Sequence, residues 1–259
     1  MKLGKIIDVL ELYAPSALAA DWDSSGLQIG SREDNIERAV VCLDVTPDVL
    51  EDAVEYGAQL IVSHHPLLFD PVKSIGDDPY SLLLRSIIRQ GIDIFSCHTP
   101  FDASRFGINA YSAFRLGIKR DAFLENSEME GCGFGVCGEL SSAMSFKELT
   151  EKVKTVFSTS VLKVSSYDSD ESIRRVAFMG GSGSDYIEKA RQLGAQVYIT
   201  SDIKNSGFIK AWQVGLPLIV MTHFDSEKCF IKIMKDLLTK ECPTLTVMES
   251  SQRNLERFI

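Results

Sequence analysis

Displaced by 137 positions, the chain aligns with itself without a gap, Arg38 through His65 lying on Arg175 through Asp202. Identities fall at Arg38/Arg175, Asp48/Asp185, Glu51/Glu188, Ala53/Ala190 and the triplet Gly57-Ala58-Gln59/Gly194-Ala195-Gln196. Apolar runs match around them: Val40-Val41-Cys42 with Ala177-Phe178-Met179, and Leu60-Ile61-Val62 with Val197-Tyr198-Ile199. Short β-branched runs alternate with helical patterning, so each copy reads strand, helix, strand, the mark of a βαβ unit in a parallel sheet. Each copy then continues into another helix and strand: a helix near Tyr80 to Gln90 and a strand from Ile92 to Cys97, then a helix near Lys204 to Val214 and a strand from Leu218 to Met221. Generic βαβ patterning makes any two such units alike, but an ungapped run that ends at comparable chemistry favours a true repeat.

A chain of 259 residues, 45% of them hydrophobic, is long for one domain and comfortable for two. Lys119 to Glu130 is polar and charged, and Gly131-Cys132-Gly133-Phe134-Gly135-Val136-Cys137-Gly138 predicts a strand with close backbone neighbours. The expected division is therefore 1–124 and 125–259, with the terminal strand Thr244 to Met248 able to return to either sheet. The fold expected is α/β, two related domains with mostly parallel sheets.

All four histidines sit just beyond apolar runs, in Ser63-His64-His65-Pro66, Cys97-His98-Thr99-Pro100-Phe101-Asp102 and Thr222-His223-Phe224-Asp225-Ser226-Glu227. Each cluster lies where a buried strand ends and a loop begins, the edge on which open α/β sheets place their ligands. With Asp102 and Glu227 the set mixes imidazole and carboxylate, the ligand chemistry of a divalent-metal site and most of all of a two-metal site. Because two related units contribute one constellation each, the expected location is an interdomain metal-binding cleft.

Neighbouring side chains at a strand end point in opposite directions, so His64 and His65 would serve two metals, or one metal and one reacting group. Pro66 biases His65 towards an extended backbone. His223 and Glu227 are spaced i, i+4 at the first turn of a helix, with Asp225 as its expected cap. Asp102 is the preferred carboxylate on the other side, and His98 could be a ligand but reads rather as a proton shuttle or a group orienting Asp102. Asp44, Asp70 and Asp93 stay open as alternative carboxylates, and Asp202 occupies the position equivalent to His65. Gly180-Gly181-Ser182-Gly183-Ser184-Asp185 reads either as an anion-binding nest or as a plain turn capped by Ser184.

A net charge of −9 argues against a general nucleic-acid or anionic-membrane binder. No apolar run approaches the roughly 18–20 residues that span a bilayer, and Met1 to Pro15 is amphipathic, not a signal peptide; a cytoplasmic location is expected. The six cysteines form no C-x-x-C pair and read as buried reduced thiols, Cys97 included.

Trp22-Asp23-Ser24-Ser25-Gly26-Leu27-Gln28-Ile29-Gly30, His64-His65-Pro66, His98 to Asp102, Thr200-Ser201-Asp202-Ile203-Lys204 and His223 to Glu227 together resemble the Nif-three-like family, whose members often carry the name GTP cyclohydrolase I type 2 homologue. The resemblance covers essentially the whole chain. It implies His64, His65, Asp102, His223 and Glu227 as ligands of a dinuclear site, two α/β domains around a cleft, and a ring-like homohexamer. Ser201, Ser206 and Thr222 depart from residues common in that family, Gly, His and Gly respectively.

The expected function is a metal-dependent hydrolase in which two divalent cations, drawn from Zn, Fe, Mn, Co or Ni, share a bridging water and lower its pKa. The substrate would be a nucleotide or other small molecule, attacked at the guanine imidazole ring with His98 moving a proton, or at phosphorus. The alternative is a non-catalytic metal chaperone or a ring-shaped scaffold for a partner.

Overall fold

The computed structural model describes residues 1–166 and 171–256. In chain order its elements are α1 (Leu3–Tyr13), β1 (Gly26–Ile29), β2 (Arg38–Cys42), α2 (Pro47–Tyr56), β3 (Leu60–Ser63), α3 (Pro79–Gln90), β4 (Asp93–Ser96), α4 (Thr99–Ala103), α5 (Ile108–Leu116) and β5 (Ile118–Ala122). Next come β6 (Glu125–Asn126), β7 (Gly133–Phe134), β8 (Val136–Met144), α6 (Phe146–Phe157), β9 (Lys163–Val164), β10 (Ile173–Ser182), α7 (Ile187–Gln192), β11 (Val197–Ser201), α8 (Asn205–Gln213) and β12 (Leu218–Met221). α9 (His223–Glu227), α10 (Cys229–Glu241) and β13 (Thr246–Glu249) complete the chain.

Two units result, each with its own sheet. The first comprises Met1–Phe101 and Phe230–Arg253, and its sheet runs β1-β4-β3-β2-β13. β4, β3, β2 and β13 are parallel and β1 is antiparallel. Its core includes Val40, Val49, Ile61, Ile87 and Ile94, all buried; each such branched side chain contributes about 1.5–3 kcal/mol. The second unit comprises Asp102–Cys229 with the segment from Asn254, and its sheet runs β5-β8-β10-β11-β12-β9. Here a parallel centre, β10-β11-β12, is flanked by antiparallel β8, β5 and β9.

The chain repeat is realised hydrogen bond by hydrogen bond. Ala39 pairs with Leu60 across β2 and β3, and Val176 with Val197 across β10 and β11, each pair the other's equivalent in the alignment. Gln59 Oε1 accepts from the backbone N–H groups of Glu37 (2.9 Å) and Arg38 (3.0 Å), as Gln196 Oε1 does from Arg174 (2.8 Å) and Arg175 (3.0 Å). Arg38 donates to Tyr56 O and Arg175 to Leu193 O, again equivalent positions. Gly57 and Gly194 turn the chain at φ +68° and +81°, which a side chain would resist. The shared Gly-Ala-Gln triplet therefore closes each helix and fastens the strand before it.

The sequence places the domain boundary between residues 124 and 125. In the structure the chain enters the second unit after Phe101, because β5 pairs antiparallel with β8, and returns to the first through Phe230–Arg253. β13 settles beside β2, Thr246 opposite Arg38. Gly138 lies so close to β5 that a Cβ would collide with Lys119 O, which accounts for the glycine-spaced segment.

Asp93 opens β4, at the opposite end of its strand from the histidine motifs, and so is no ligand candidate. It is 7% exposed, and a Cβ on Gly30 would collide with its carboxylate. Burial first, then the neighbouring Asp34 charge and hydrogen bond, push its pKa up to about 6. A carboxyl raised in the folded state favours folding below the unfolded value of about 3.9, and that contribution is lost as pH rises through about 6. Asp93→Asn, neutral throughout, should therefore exceed the parent stability by about 2–3 kcal/mol at pH 8, with the gap closing by about pH 4. Denaturant midpoints at the two pH values check this, and a gap that does not vary with pH would refute it.

A candidate metal centre

Parallel strands deliver the histidines to one edge of each sheet. β3 ends at Ser63 and β4 at Ser96, which face each other in register, so His64, His65 and His98 all leave the carboxyl end of the first sheet. Potential ligand atoms of these three lie within 4.8 Å of one another. His64 and His65 do not diverge as adjacent strand residues would. The chain bends at both residues, Ser63 Oγ donates to His65 O at 2.8 Å, and the two rings approach to 4.9 Å between centroids.

Each of these rings is held through Nδ1. His64 Nδ1 lies 2.9 Å from Cys97 O, and since a carbonyl only accepts, that nitrogen carries the proton. His65 Nδ1 meets Asp44 Oδ1 at 2.7 Å. Asp44 Oδ2 in turn accepts from Gln252 Nε2 at 3.0 Å, while Gln252 Oε1 accepts from the backbone of Leu43 and Asp44. His98 Nδ1 meets Asp23 Oδ1 at 2.8 Å. Asp23 also accepts from Ser24 N, Ser25 Oγ, Thr99 N and Thr99 Oγ1. Burial opposes the Asp23 charge, but the hydrogen bonds from His98, Ser25 and Thr99 hold its pKa well below the carboxylate range. Coordination by all three rings would therefore run through Nε2.

In the second unit the carboxyl end of β12 leads into α9. Thr222 caps that helix, its hydroxyl accepting from Asp225 N at 3.1 Å, so the capping role expected of Asp225 falls to Thr222. Asp225 instead bonds Thr159 Oγ1 and Lys228 Nζ. His223 is the first helical residue, and its Nε2 lies 2.9 Å from Glu227 Oε2 one turn on. Its Nδ1 lies 2.5 Å from Asp202 Oδ2. Burial lowers the His223 pKa, but the bonds to Asp202 and Glu227 outweigh it and lift the ring to about 11. Asp202 itself adopts φ +55°, a strained conformation for a residue with a side chain.

Glu227 is 3% exposed and rests on the glycine segment. A Cβ on Gly181 would collide with Glu227 Oε1, and Gly181 turns at φ +67°. The backbone N–H groups of Gly180 and Gly181 are engaged by Asn109 Oδ1 and Ser226 Oγ at 3.0 Å each, so these two glycines form a floor for the carboxylate and do not offer their N–H groups to an anion. Asn109 also donates to Asp102 O at 3.0 Å, tying α4 to the same floor. The ligand oxygens offered by Asp102 and Glu227 lie within 4.8 Å of each other. Ser201 donates from Oγ to Gly181 O at 2.5 Å.

The His-x-x-x-carboxylate motifs of the two units are one residue out of structural step. Counting from the paired strand residues, His98 corresponds to the cap Thr222, and Thr99, which opens α4, corresponds to His223. Of the alternative carboxylates, Asp44 orients His65 and Asp70 is exposed in a loop. Sequence reasoning missed the orienting role of Asp23 and Asp44 and the latch from Gln252; the Trp22-Asp23-Ser24-Ser25 motif was the available signal for the first. Among the cysteines, all six are free thiols, five of them buried, and Cys97 serves His64 through its carbonyl.

Both donor sets suit a divalent metal. They are buried or half-buried imidazoles and carboxylates, and Nδ1 of every ring is already committed to a carboxylate or carbonyl, the arrangement that fixes tautomer and ring orientation in metal sites.

Comparison with known proteins bears on the whole chain. The model of the Duf34/NIF3 (NGG1p interacting factor 3) family matches residues 1–255. A Clostridium perfringens protein named GTP cyclohydrolase 1 type 2 homolog is 34% identical over 231 residues, covering 88% of this chain and 87% of its own. One of the same name from Clostridium acetobutylicum is 31% identical over 241 residues, covering 92% and 90%. The crystal structure of a Staphylococcus aureus hypothetical protein superposes with a TM-score of 0.92 at 25% identity, covering 100% of this chain and 99% of that one.

Gly181→Ala should both strain the backbone and displace Glu227. We expect metal affinity to fall about 10–100-fold, the range for loss of a supporting contact. Gly215→Ala, at φ +66° with open space around it, carries the backbone strain alone, about 1–2 kcal/mol, and should leave metal affinity unchanged. Competition titration against a chromogenic chelator measures both, and equal affinities in the two variants would refute the role given to Gly181.

Proposed function

The chain belongs to the Duf34/NIF3 family, and on that premise we propose that it binds two divalent cations through His64, His65, Asp102, His223 and Glu227 and uses them for hydrolysis. The observation that carries the reading is the commitment of Nδ1 in every histidine, to Cys97 O, Asp44, Asp23 and Asp202. Four rings held alike, by four different partners, are prepared to ligate or to move protons through Nε2. When bound, such a pair of cations supplies Lewis acidity and a water whose pKa is brought down to about 7.

The remaining work falls to the chain. Asp44 and Asp202 keep His65 and His223 in one orientation, and the Gly181 floor keeps Glu227 in place. His98 is the proton carrier. Asp23, held anionic by its four donors, fixes the Nδ1–H tautomer of His98 and stabilises the ring when Nε2 takes up a proton, the part a buried aspartate plays behind a catalytic histidine. Trp22 stands edge-on to the His98 ring at 5.8 Å between centroids. The relatives' name points to a guanine nucleotide as substrate, opened at the imidazole ring; hydrolysis of a phosphate ester would use the same residues.

Elemental analysis of purified protein should give about two metal equivalents per chain, lost in His64→Ala and in Glu227→Ala; a metal-free parent after anaerobic reconstitution would overturn the reading. His98→Ala should retain its metal and lose about 100-fold or more in kcat. The readouts are guanine ultraviolet absorbance for GTP and phosphate release for a nucleotide panel. Metal-loaded protein that turns over neither, yet passes its metal to an acceptor, would establish a chaperone instead.

A further inference from the structure

We propose that a cavity of about 930 Å³ in the second unit receives the phosphate group of a phosphorylated small molecule, an inference that rests on the hydrolase reading and assigns its substrate class. The cavity falls within the roughly 300–1,000 Å³ of small-molecule sites. Lys163, Lys204 and Lys210 line it with the hydroxyls of Ser182, Ser184 and Ser206, all groups that donate to phosphate oxygens.

The balance of charge inside it is positive. Of its two acids, Asp202 is committed to His223 at 2.5 Å, leaving Asp185. Lys210 pairs with Glu188 at 3.2 Å. Lys163 and Lys204 form no ion pair among the described residues, so two cationic side chains border a cavity holding one uncommitted carboxylate. Against a chain of net charge −9, a local excess of this sign selects anions.

Asp202 connects the cavity to the chemistry. One carboxylate forms part of its lining and also holds the Nδ1 of His223. A molecule anchored by its phosphate on Lys163 and Lys204 is thereby held next to the residue that orients a candidate ligand. Ser206 lines the cavity and adds a hydroxyl donor beside the lysines.

The test is calorimetric binding of GMP and ribose 5-phosphate, with guanosine and ribose as their dephosphorylated counterparts, to the parent protein and to the Lys163→Gln/Lys204→Gln double variant. Both lysines are exposed, so the variant should fold as the parent does. The phosphorylated probes should bind the parent and lose about tenfold or more in affinity in the variant, as expected when two charged donors are removed. Equal affinity in parent and variant, equal binding of phosphorylated and dephosphorylated probes, or no binding of either phosphorylated probe would overturn the proposal. Metal content measured on the same preparations separates the two readings. A metal-free parent defeats the dinuclear hydrolase, whereas metal-loaded protein without phosphate recognition defeats only the cavity.

Discussion

Parallel strand pairing in a single register places the chemistry of this protein. In each unit two neighbouring parallel strands end level with each other, Ser63 beside Ser96 and Ser201 beside Met221. The residues that follow must leave the same edge of the sheet, whatever their side chains. The Gly-Ala-Gln triplet sets that register at the other end, where Gln59 and Gln196 each clamp two backbone N–H groups at the start of the preceding strand. A one-residue slip would turn every side chain of a buried strand to the opposite face, so the register is enforced by both cores as well as by the clamps.

Orientation is a second layer, built from acids that partner the rings. Left alone, a histidine at a strand end samples several rotamers and two tautomers. Here Asp23, Asp44, Asp202 and the Cys97 carbonyl remove that freedom before any ligand arrives. The acids are themselves fixed, Asp44 by Gln252 near the far end of the chain and Asp23 by Ser25 and Thr99. The cost shows at Asp202, whose positive φ is tolerated because its carboxylate is held by His223. Glycine serves the same end from below: at Gly181 the missing side chain is the room that the Glu227 carboxylate occupies.

The two units use one scaffold for different tasks. The first presents three imidazoles from the ends of β3 and β4; the equivalent edge of the second presents Ser201 at the end of β11, Asp202 after it, and His223 and Glu227 from α9. Substituting a hydroxyl and a carboxylate for the His64-His65 pair converts a nitrogen-rich edge into an oxygen-rich one without altering the backbone frame. The acidic edge then borders a cavity of opposite charge, where Lys163 and Lys204 stand.

Much of this was legible in the residues. Apolar runs and the helix periods between them located β3, β4, β11, β12, α3 and α8 almost to their ends, because buried parallel strands and amphipathic helices write their burial directly into composition. Clustering of all four histidines after such runs identified the candidate ligands, since in an α/β sheet the strand end is where side chains become available. What the chain order could not convey was who holds whom. Gln252 reaches Asp44 across more than two hundred residues, β5 leaves the first unit to pair with β8, and His98 and His223 fall out of step by one residue in spite of matching motifs. Hydrogen bonds of this kind depend on distance and angle in space, which separation along the chain does not encode. Chain order alone sets which residue types stand at which strand ends. Tertiary structure decided which nitrogen of each ring is committed, which carboxylate orients and which is offered, because those roles are settled only when partners remote in sequence come within about 3 Å.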